Sequence, residues 1–209
     1  MTQVEQDANA GTLERWGKIA RRIRVPLGFL TAGLYVFELL RHAPSKTAMA
    51  WSLPLVLAGL WLRGYAAGYV KKNRELTQTG PYAYTRNPLY LGSILIAAGF
   101  AVALLSWAVG LMLSAMFLII YVPVIASEER FLRSNFVDFE AYCERVPRLI
   151  PRVMRAARGG SQTEVLPGKF SFALYLRHRE YNAAIGAALL YLSLLFLRPA
   201  LGLFVHLPR

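Results

Sequence analysis

The sequence predicts an all-α, polytopic integral membrane protein with about five transmembrane helices and one amphipathic cytoplasmic helix. Two observations carry this prediction. The 209 residues are 56% hydrophobic and contain several long apolar runs, and the chain also has a formal net charge of +12. A soluble domain rarely combines that apolar fraction with that charge, whereas a membrane protein with basic cytoplasmic loops does so routinely. The charge therefore indicates anionic lipid headgroups as a partner, and no basic stretch carries a nucleic-acid-binding motif.

The predicted elements begin with a basic amphipathic segment at residues 1–24. From Thr12 to Arg24, apolar residues recur at helical spacing opposite Lys and Arg, as in a helix that lies on a membrane surface. The long apolar runs that follow are predicted to span the membrane, and they are Val25–Leu40, Thr47–Tyr69, Pro88–Leu105, Ala108–Ala126 and Ala183–Val205.

Short polar and proline signals shape these runs. Only Ser106 and Trp107 separate the third run from the fourth, which predicts a tight hairpin. Pro123 is predicted to kink the fourth run or loosen its last turns, because proline lacks a backbone N–H. An amphipathic helix is expected next, over Glu128–Val146.

The chain divides into a membrane core at residues 25–151, a basic cytoplasmic linker at 152–182 and a C-terminal transmembrane helix at 183–209. The positive-inside rule places the N-terminus and both polar stretches of the core in the cytoplasm. Nearly all Lys and Arg outside the spans then lie on one face. We expect the protein to reside in a bacterial inner membrane.

No metal site or internal disulfide is expected. Cys143 is the single cysteine, and its simplest interpretation is a small packing residue. The three histidines, His42, His178 and His206, lie far apart and without the spacing of metal ligands.

The stretch from Gly80 to Gly92, GPYAYTRNPLYLG, lies between two apolar runs and yet is polar and rich in tyrosine. Within it, Asn87 followed by Pro88 predicts a helix start, because Asn caps free backbone N–H groups and Pro fits the first helical position. The positive end of the helix dipole would then favour an anion beside Arg86. The alternative is that Asn87 and Pro88 only start the helix and Arg86 only reaches towards lipid phosphate.

A second stretch runs from Ser127 to Pro151 and contains Glu128, Glu129 and a Tyr…Arg-Val-Pro sequence. On the predicted helix, Glu128 falls on the same stripe as the apolar residues. A carboxylate in line with a buried face suggests a ligand for a cationic group, and the alternative is a first-turn Glu that complements the helix dipole.

Together these stretches resemble the isoprenylcysteine carboxyl methyltransferase and phospholipid methyltransferase superfamily of membrane enzymes. That family has a GPY…R-H-P-x-Y-x-G stretch that opens a membrane helix, a Glu-Glu pair after the next helix and an Arg-Val-Pro tail. The resemblance covers roughly residues 55–151. It implies methyl transfer from S-adenosylmethionine to a lipid or lipophilic acceptor within the membrane, with the cofactor bound on the cytoplasmic side.

The cofactor has a carboxylate, an ammonium group, two ribose hydroxyls and an adenine, and the sequence offers a partner for each. Arg86, Asn87 and the free amides of the third run suit the carboxylate. Glu128 and Glu129 suit the ammonium or the ribose. The full expected cofactor-binding set is Tyr82, Arg86, Asn87, Pro88, Tyr90, Glu128, Glu129, Tyr142, Val146 and Pro147. The resemblance also implies that Arg145 lies near the methyl acceptor, and Arg145 and Glu129 are the candidate catalytic residues.

The sequence departs from the family pattern at Asn87, where His is usual, and at Val137, near where Gly is frequent. Asn forms hydrogen bonds but cannot carry a proton, so an acid–base role at this position is in doubt. Two other classes stay open: an NADPH-dependent membrane enzyme of the sterol-reductase type, and a non-catalytic membrane scaffold. The acceptor also stays open among a prenylated carboxylate, a phospholipid amine and a small hydrophobic thiol or amine.

Overall fold

The structure, a computed structural model, describes residues 22–23, 26–71, 75–151 and 168–202, and every regular element within them is helical. The all-α prediction is therefore confirmed. Nearly all of the predicted segment at Thr12–Arg24 and most of the basic linker lie outside the described residues. The helices are α1 (residues 26–41), α2 (Lys46–Ala67), α3 (Pro88–Leu104), α4 (Trp107–Met116), α5 (Val122–Asn135), α6 (Phe139–Arg145), α7 (Phe172–Arg177) and α8 (Tyr181–Gly202).

Helices α4 and α5 form one continuous helix from Trp107 to Asn135. Within the described part of the chain, this 29-residue helix is the one that is long and apolar enough to cross a bilayer. Helix α3 and the Tyr181–Leu197 part of α8 are apolar but shorter. The structure thus supports a membrane-associated protein, and five spans remain a prediction.

The turn between α4 and α5 is wider than an α-helical turn, over Phe117–Tyr121, and it lies just before Pro123. The N–H of Val122 bonds to the carbonyl of Phe117, five residues back. Because the proline ring crowds the carbonyl four residues before it, a widened turn is the expected accommodation. The predicted loosening at Pro123 is confirmed, and the helix continues beyond it.

The predicted amphipathic helix over Glu128–Val146 is wrong as a single element. Helix α5 already contains Glu128, and the chain breaks at residues 136–138 before α6 begins. The side chains of Ser134 and Asn135 both donate to the carbonyl of Phe131, at 3.0 and 2.7 Å, and such bonds compete with helical backbone bonds. The alternative of Glu128 in a first helical turn is also wrong, because it lies in the middle of the helix.

The α3–α4 connection is the predicted tight hairpin. Leu105 ends α3 with a left-handed φ of 49°, and the hydroxyl of Ser106 accepts a hydrogen bond from the N–H of Val109 at 3.3 Å. A capping serine satisfies one of the free N–H groups at the start of α4.

Helices α2 and α3 pack antiparallel with their backbones in contact. A Cβ added at Gly59 would lie 2.6 Å from the carbonyl oxygen of Gly92, and one added at Gly92 would lie 2.7 Å from the carbonyl oxygen of Gly59. Glycine at both positions is therefore what permits this approach. The packing brings the C-terminal end of α2 beside Pro88, where α3 begins.

Helix α8 joins the same core through α1 and α2. Its Tyr191 hydroxyl lies 2.6 Å from the hydroxyl of Ser52 on α2, and its Ser193 lies 2.6 Å from the hydroxyl of Tyr35 on α1. The buried apolar cluster also draws on all of these helices, with Leu39, Val56, Phe100, Ala103, Ala187 and Leu194 among its members.

The α2–α3 contact predicts that Gly59→Ala lowers the free energy of unfolding by about 1–3 kcal/mol, because the new methyl group meets backbone that cannot move aside. The matched control is Gly186→Ala in α8, where an added Cβ meets nothing within 4 Å. That change should be neutral or stabilising by up to about 1 kcal/mol, through helix propensity alone. Thermal denaturation of the detergent-solubilised variants measures both, and equal melting temperatures would refute the close contact.

Candidate functional site

A cavity lies between the loop after α2, the start of α3, α5 and α6. The loop contributes Val70, Lys71, Glu75, Leu76 and Thr77. The cavity brings together most of the residues that were predicted to bind the cofactor, and these are Tyr82, Arg86, Asn87, Pro88, Tyr90, Glu128, Glu129 and Tyr142.

A tight turn at Gly80–Ala83 directs the chain into the cavity. Gly80 has a φ of 60°, and an added Cβ would lie 2.7 Å from the ring of Tyr69, so glycine is required twice over. The turn buries Tyr82, whose backbone carbonyl accepts a hydrogen bond from the Tyr142 hydroxyl at 2.7 Å. This bond joins the entry to α3 with α6.

Asn87 stands at the start of α3, but the prediction that its side chain caps the helix is wrong. Its amide nitrogen instead donates to the carbonyl of Arg148 at 2.9 Å. With Pro88 at the first helical position, the N–H groups of Leu89 and Tyr90 have no capping side chain. The start of α3 therefore offers free donors at the positive end of the helix dipole.

Glu129 lies between two arginines at the base of the cavity. Its carboxylate oxygens lie 3.4 Å from Arg86 and 2.8 Å from Arg148. The Glu129 and Arg86 side chains are only 12% and 15% exposed. Arg86 also donates to the sulfur of Cys143. Among the described residues, Nε of Arg86 and Oε1 of Glu129 are buried without a hydrogen-bond partner. Buried polar atoms normally have partners, so this pair retains capacity for a polar ligand.

Glu128 differs from the neighbouring Glu129 in its exposure and in its charged contacts. It is exposed, accepts a hydrogen bond from the Tyr90 hydroxyl at 3.0 Å, and has no ion-pair partner within the described part of the chain. The Tyr90 ring packs edge-on against Tyr121, with ring centroids 5.5 Å apart. The carboxylate of Glu128 is thus held in place and remains available to a cationic group.

The cavity walls formed by Tyr82 and Tyr142 are neutral. Burial raises the pKa of both phenols above the ordinary value for tyrosine, with a further rise at Tyr82 from the nearby Glu128 carboxylate. Neither side chain is ionised at physiological pH, so both act as apolar walls and hydrogen-bond donors and not as bases.

The other predicted residues lie outside the cavity lining. Val146 is buried behind Tyr142 and Phe139, and the carbonyl of Pro147 accepts the backbone N–H of Arg86 at 2.9 Å. Both therefore support the lining from behind. Arg145 is exposed at the end of α6, one turn after Tyr142, and donates to the side chain of Gln78 at 2.9 Å.

Sequence reasoning missed one ion pair beside this site, between Arg63 of α2 and Glu180. The guanidinium group donates to both carboxylate oxygens of Glu180, at 3.0 Å each. The residues are 117 positions apart, so no local spacing relates them. The one signal in the sequence was a charged residue inside a predicted membrane span, which usually marks a functional or paired position.

Comparison with protein families identifies residues 46–138 as a match to phospholipid methyltransferase. The resemblance drawn from the sequence is confirmed over this stretch. No solved structure matches the chain.

Two curated relatives are named for metal resistance. The cobalt-zinc-cadmium resistance protein CzcN of Cupriavidus metallidurans is 38% identical over 131 residues, which cover 57% of this chain and 60% of the relative. The nickel-cobalt-cadmium resistance protein NccN of Alcaligenes xylosoxydans xylosoxydans is 35% identical over 94 residues, which cover 45% of this chain and 43% of the relative. The chain thus matches about half of the length of these relatives.

The charge cluster predicts that Glu129→Ala lowers the free energy of unfolding by about 3–5 kcal/mol, because it leaves Arg86 buried without a counter-charge. The control is Glu140→Ala, which removes the exposed pair with Arg133, 62% and 53% exposed. An exposed pair contributes at most about 1 kcal/mol. Thermal denaturation in detergent compares the two variants, and a Glu129→Ala protein as stable as the Glu140→Ala protein would contradict the charge compensation.

Proposed function

We propose, from the phospholipid methyltransferase match at residues 46–138, that the protein transfers a methyl group from S-adenosylmethionine to a lipid or lipophilic acceptor in the membrane. The observation that carries the proposal is the cavity where the start of α3, Arg86, Glu128 and Glu129 face one another. The cofactor would enter it from the cytoplasmic side.

The residues present fit this cofactor. Its carboxylate would meet the free N–H groups of Leu89 and Tyr90 and the unpartnered Nε of Arg86. Its ammonium group would meet Glu128, the carboxylate without an ion-pair partner among the described residues. Oε1 of Glu129, which lies 3.4 Å from Arg86 but forms no hydrogen bond, suits a ribose hydroxyl.

The adenine would lie against the apolar and aromatic part of the lining, formed by Leu132, Phe139, Tyr82 and Tyr142. When bound, the cofactor supplies a methyl group already activated on a sulfonium. The chain then has to align the donor with the acceptor and exclude water, and it needs no strong base for either task. This agrees with Asn87 in a hydrogen-bonding role and with neutral tyrosines in the walls.

The residues that would contact the methyl acceptor are proposed from their location outside the cofactor cavity. We place Arg145 beside the acceptor, because its exposed guanidinium at the end of α6 lies outside the cofactor cavity and is able to orient a phosphate or carboxylate headgroup. A lipophilic acceptor would approach past Tyr90, Tyr121 and Phe117, whose rings pack in a row from Glu128 into the apolar helix, with centroids 5.5 and 5.6 Å apart.

The alternatives have less support. An NADPH-dependent reductase would need to place three phosphate groups, the pyrophosphate and the 2′-phosphate, and the paired carboxylates in this cavity disfavour them. The names of the two relatives concern resistance to metal ions. A metal-binding function for this chain has no supporting group of three His, Cys, Asp or Glu side chains among the described residues.

Calorimetry with S-adenosylhomocysteine tests the cofactor class. We expect the detergent-purified protein to bind it, and Glu128→Gln to weaken binding by about tenfold or more, because a charged hydrogen bond to the ammonium is worth about 1.5–3 kcal/mol. Glu144→Gln is the matched control, an exposed glutamate on α6 outside the cavity, and should leave affinity unchanged. Binding of NADPH in place of S-adenosylhomocysteine would show that the family fold serves a different chemistry here.

The acceptor assignment predicts that Arg145→Ala lowers methyl transfer while leaving the affinity for S-adenosylhomocysteine within about twofold, because the side chain lies outside the cavity. Transfer is followed as radiolabel passing from methyl-labelled S-adenosylmethionine into a total lipid extract. Arg133→Ala is the control, since Arg133 is also exposed and lies outside the cavity. If the Arg145→Ala protein loses affinity for the cofactor and keeps normal turnover, the acceptor assignment is wrong and Arg145 contacts the cofactor.

A further inference from the structure

The ion pair between Arg63 and Glu180 also holds the start of α3. Besides Glu180, the guanidinium of Arg63 donates to the backbone carbonyl of Leu89 at 3.3 Å and to the hydroxyl of Ser93. The Ser93 hydroxyl in turn donates to the same Leu89 carbonyl at 3.1 Å. One side chain on α2 thus fixes the first turns of α3 through backbone and side chain together.

The pair is withdrawn from solvent and has little freedom. The Arg63 and Glu180 side chains are 23% and 11% exposed, and their contact is bidentate. Two nitrogens and two oxygens in a fixed fork define an orientation as well as a distance. Arg63 also runs against α3, since a Cβ added at Gly92 would lie 2.6 Å from its Cγ.

Glu180 is supplied by the C-terminal segment, beyond the residues that match the family. This segment docks on the end of α2 next to the cavity. The N–H of Ser171 donates to the carbonyl of Gly68 at 2.9 Å, and the ring of Phe170 occupies the space that a side chain at Gly68 would need. Nδ1 of His178 lies 3.2 Å from the carbonyl of Ala67. The turn that carries Glu180 is therefore anchored on α2 from several sides.

We propose that Arg63 and Glu180 are positioning residues for the cofactor, so that the C-terminal segment completes the methyltransferase site. The pair sets the orientation of the α3 start, whose free N–H groups at Leu89 and Tyr90 would receive the cofactor carboxylate. The inference rests on the proposed function for its ligand, while the mechanical link between Glu180 and α3 stands on the contacts alone.

Calorimetry with S-adenosylhomocysteine tests the pair. Glu180→Gln should weaken binding roughly five- to tenfold, which is the lower end of the range that is typical for energetic coupling between two sites. The matched control is Tyr191→Phe, which removes hydrogen bonds between α8 and α2 at Ser52 and Met49, far along the helix from α3's first turn. The control should lower thermal stability and leave the affinity unchanged.

A charge-exchanged double variant, Arg63→Glu with Glu180→Arg, separates positioning from simple docking. It can rebuild the ion pair and so recover thermal stability, but a carboxylate at position 63 cannot donate to the Leu89 carbonyl. We expect its affinity for S-adenosylhomocysteine to stay low. Recovery of both stability and affinity would overturn the proposal and leave the pair a docking contact.

Hydrogen–deuterium exchange without ligand keeps the two proposals distinguishable. Glu180→Gln should speed amide exchange in peptides that cover residues 86–93, and Tyr191→Phe should not. If the unmodified protein does not bind S-adenosylhomocysteine, the proposed function fails, and faster exchange in Glu180→Gln still supports the link to α3. Unchanged exchange in Glu180→Gln overturns the link whatever the protein binds.

Discussion

Glu129 is a carboxylate largely withdrawn from water, in the polar C-terminal part of the long helix that ends at Asn135, and such a group is stable only beside opposite charge. Its partners come from two other parts of the chain. Arg86 precedes α3, and Arg148 follows α6. Two hydrogen bonds run alongside: the backbone N–H of Arg86 donates to the carbonyl of Pro147, and the Thr85 hydroxyl donates to the carbonyl of Leu149 at 3.0 Å. The need to compensate one charge therefore brings together the segments that form the cavity.

The rest of the structure supplies the geometry that this pairing needs. Glycine contacts let α2 and α3 approach until their backbones touch. This packing places the start of α3 beside the C-terminal end of α2. On the other side, the widened turn before Pro123 lets one helix run from the apolar hairpin to the cavity, so that it carries Glu128 and Glu129 beside α3. Apolar packing places the helices, and the buried charges then determine what their shared end is able to bind.

Much of this was predictable, because the signals were local. Apolar runs predicted the helices, Ser106 predicted the hairpin, and most of the residues that two short motifs predicted for the cofactor site do line the cavity. The predictions that were wrong, and the ion pair that was missed, depend on side-chain contacts that the folded chain creates. Asn87 has a capping residue's position, but its amide bonds to Arg148, a partner that only the fold brings near. The break after Asn135 depends on side-chain bonds to one carbonyl, and the Arg63–Glu180 pair depends on two distant segments meeting. Helical periodicity carries no information about such contacts.

The central claim is that the cavity between α3, α5 and α6 holds S-adenosylmethionine. Ultraviolet cross-linking of methyl-labelled S-adenosylmethionine to the intact protein in detergent, followed by peptide mapping, tests it most directly. The account predicts label on peptides that contain Tyr82–Tyr90 or Glu128–Tyr142, with competition by unlabelled S-adenosylhomocysteine and none by NADPH. Label confined to other peptides, or competition by NADPH alone, would contradict the account.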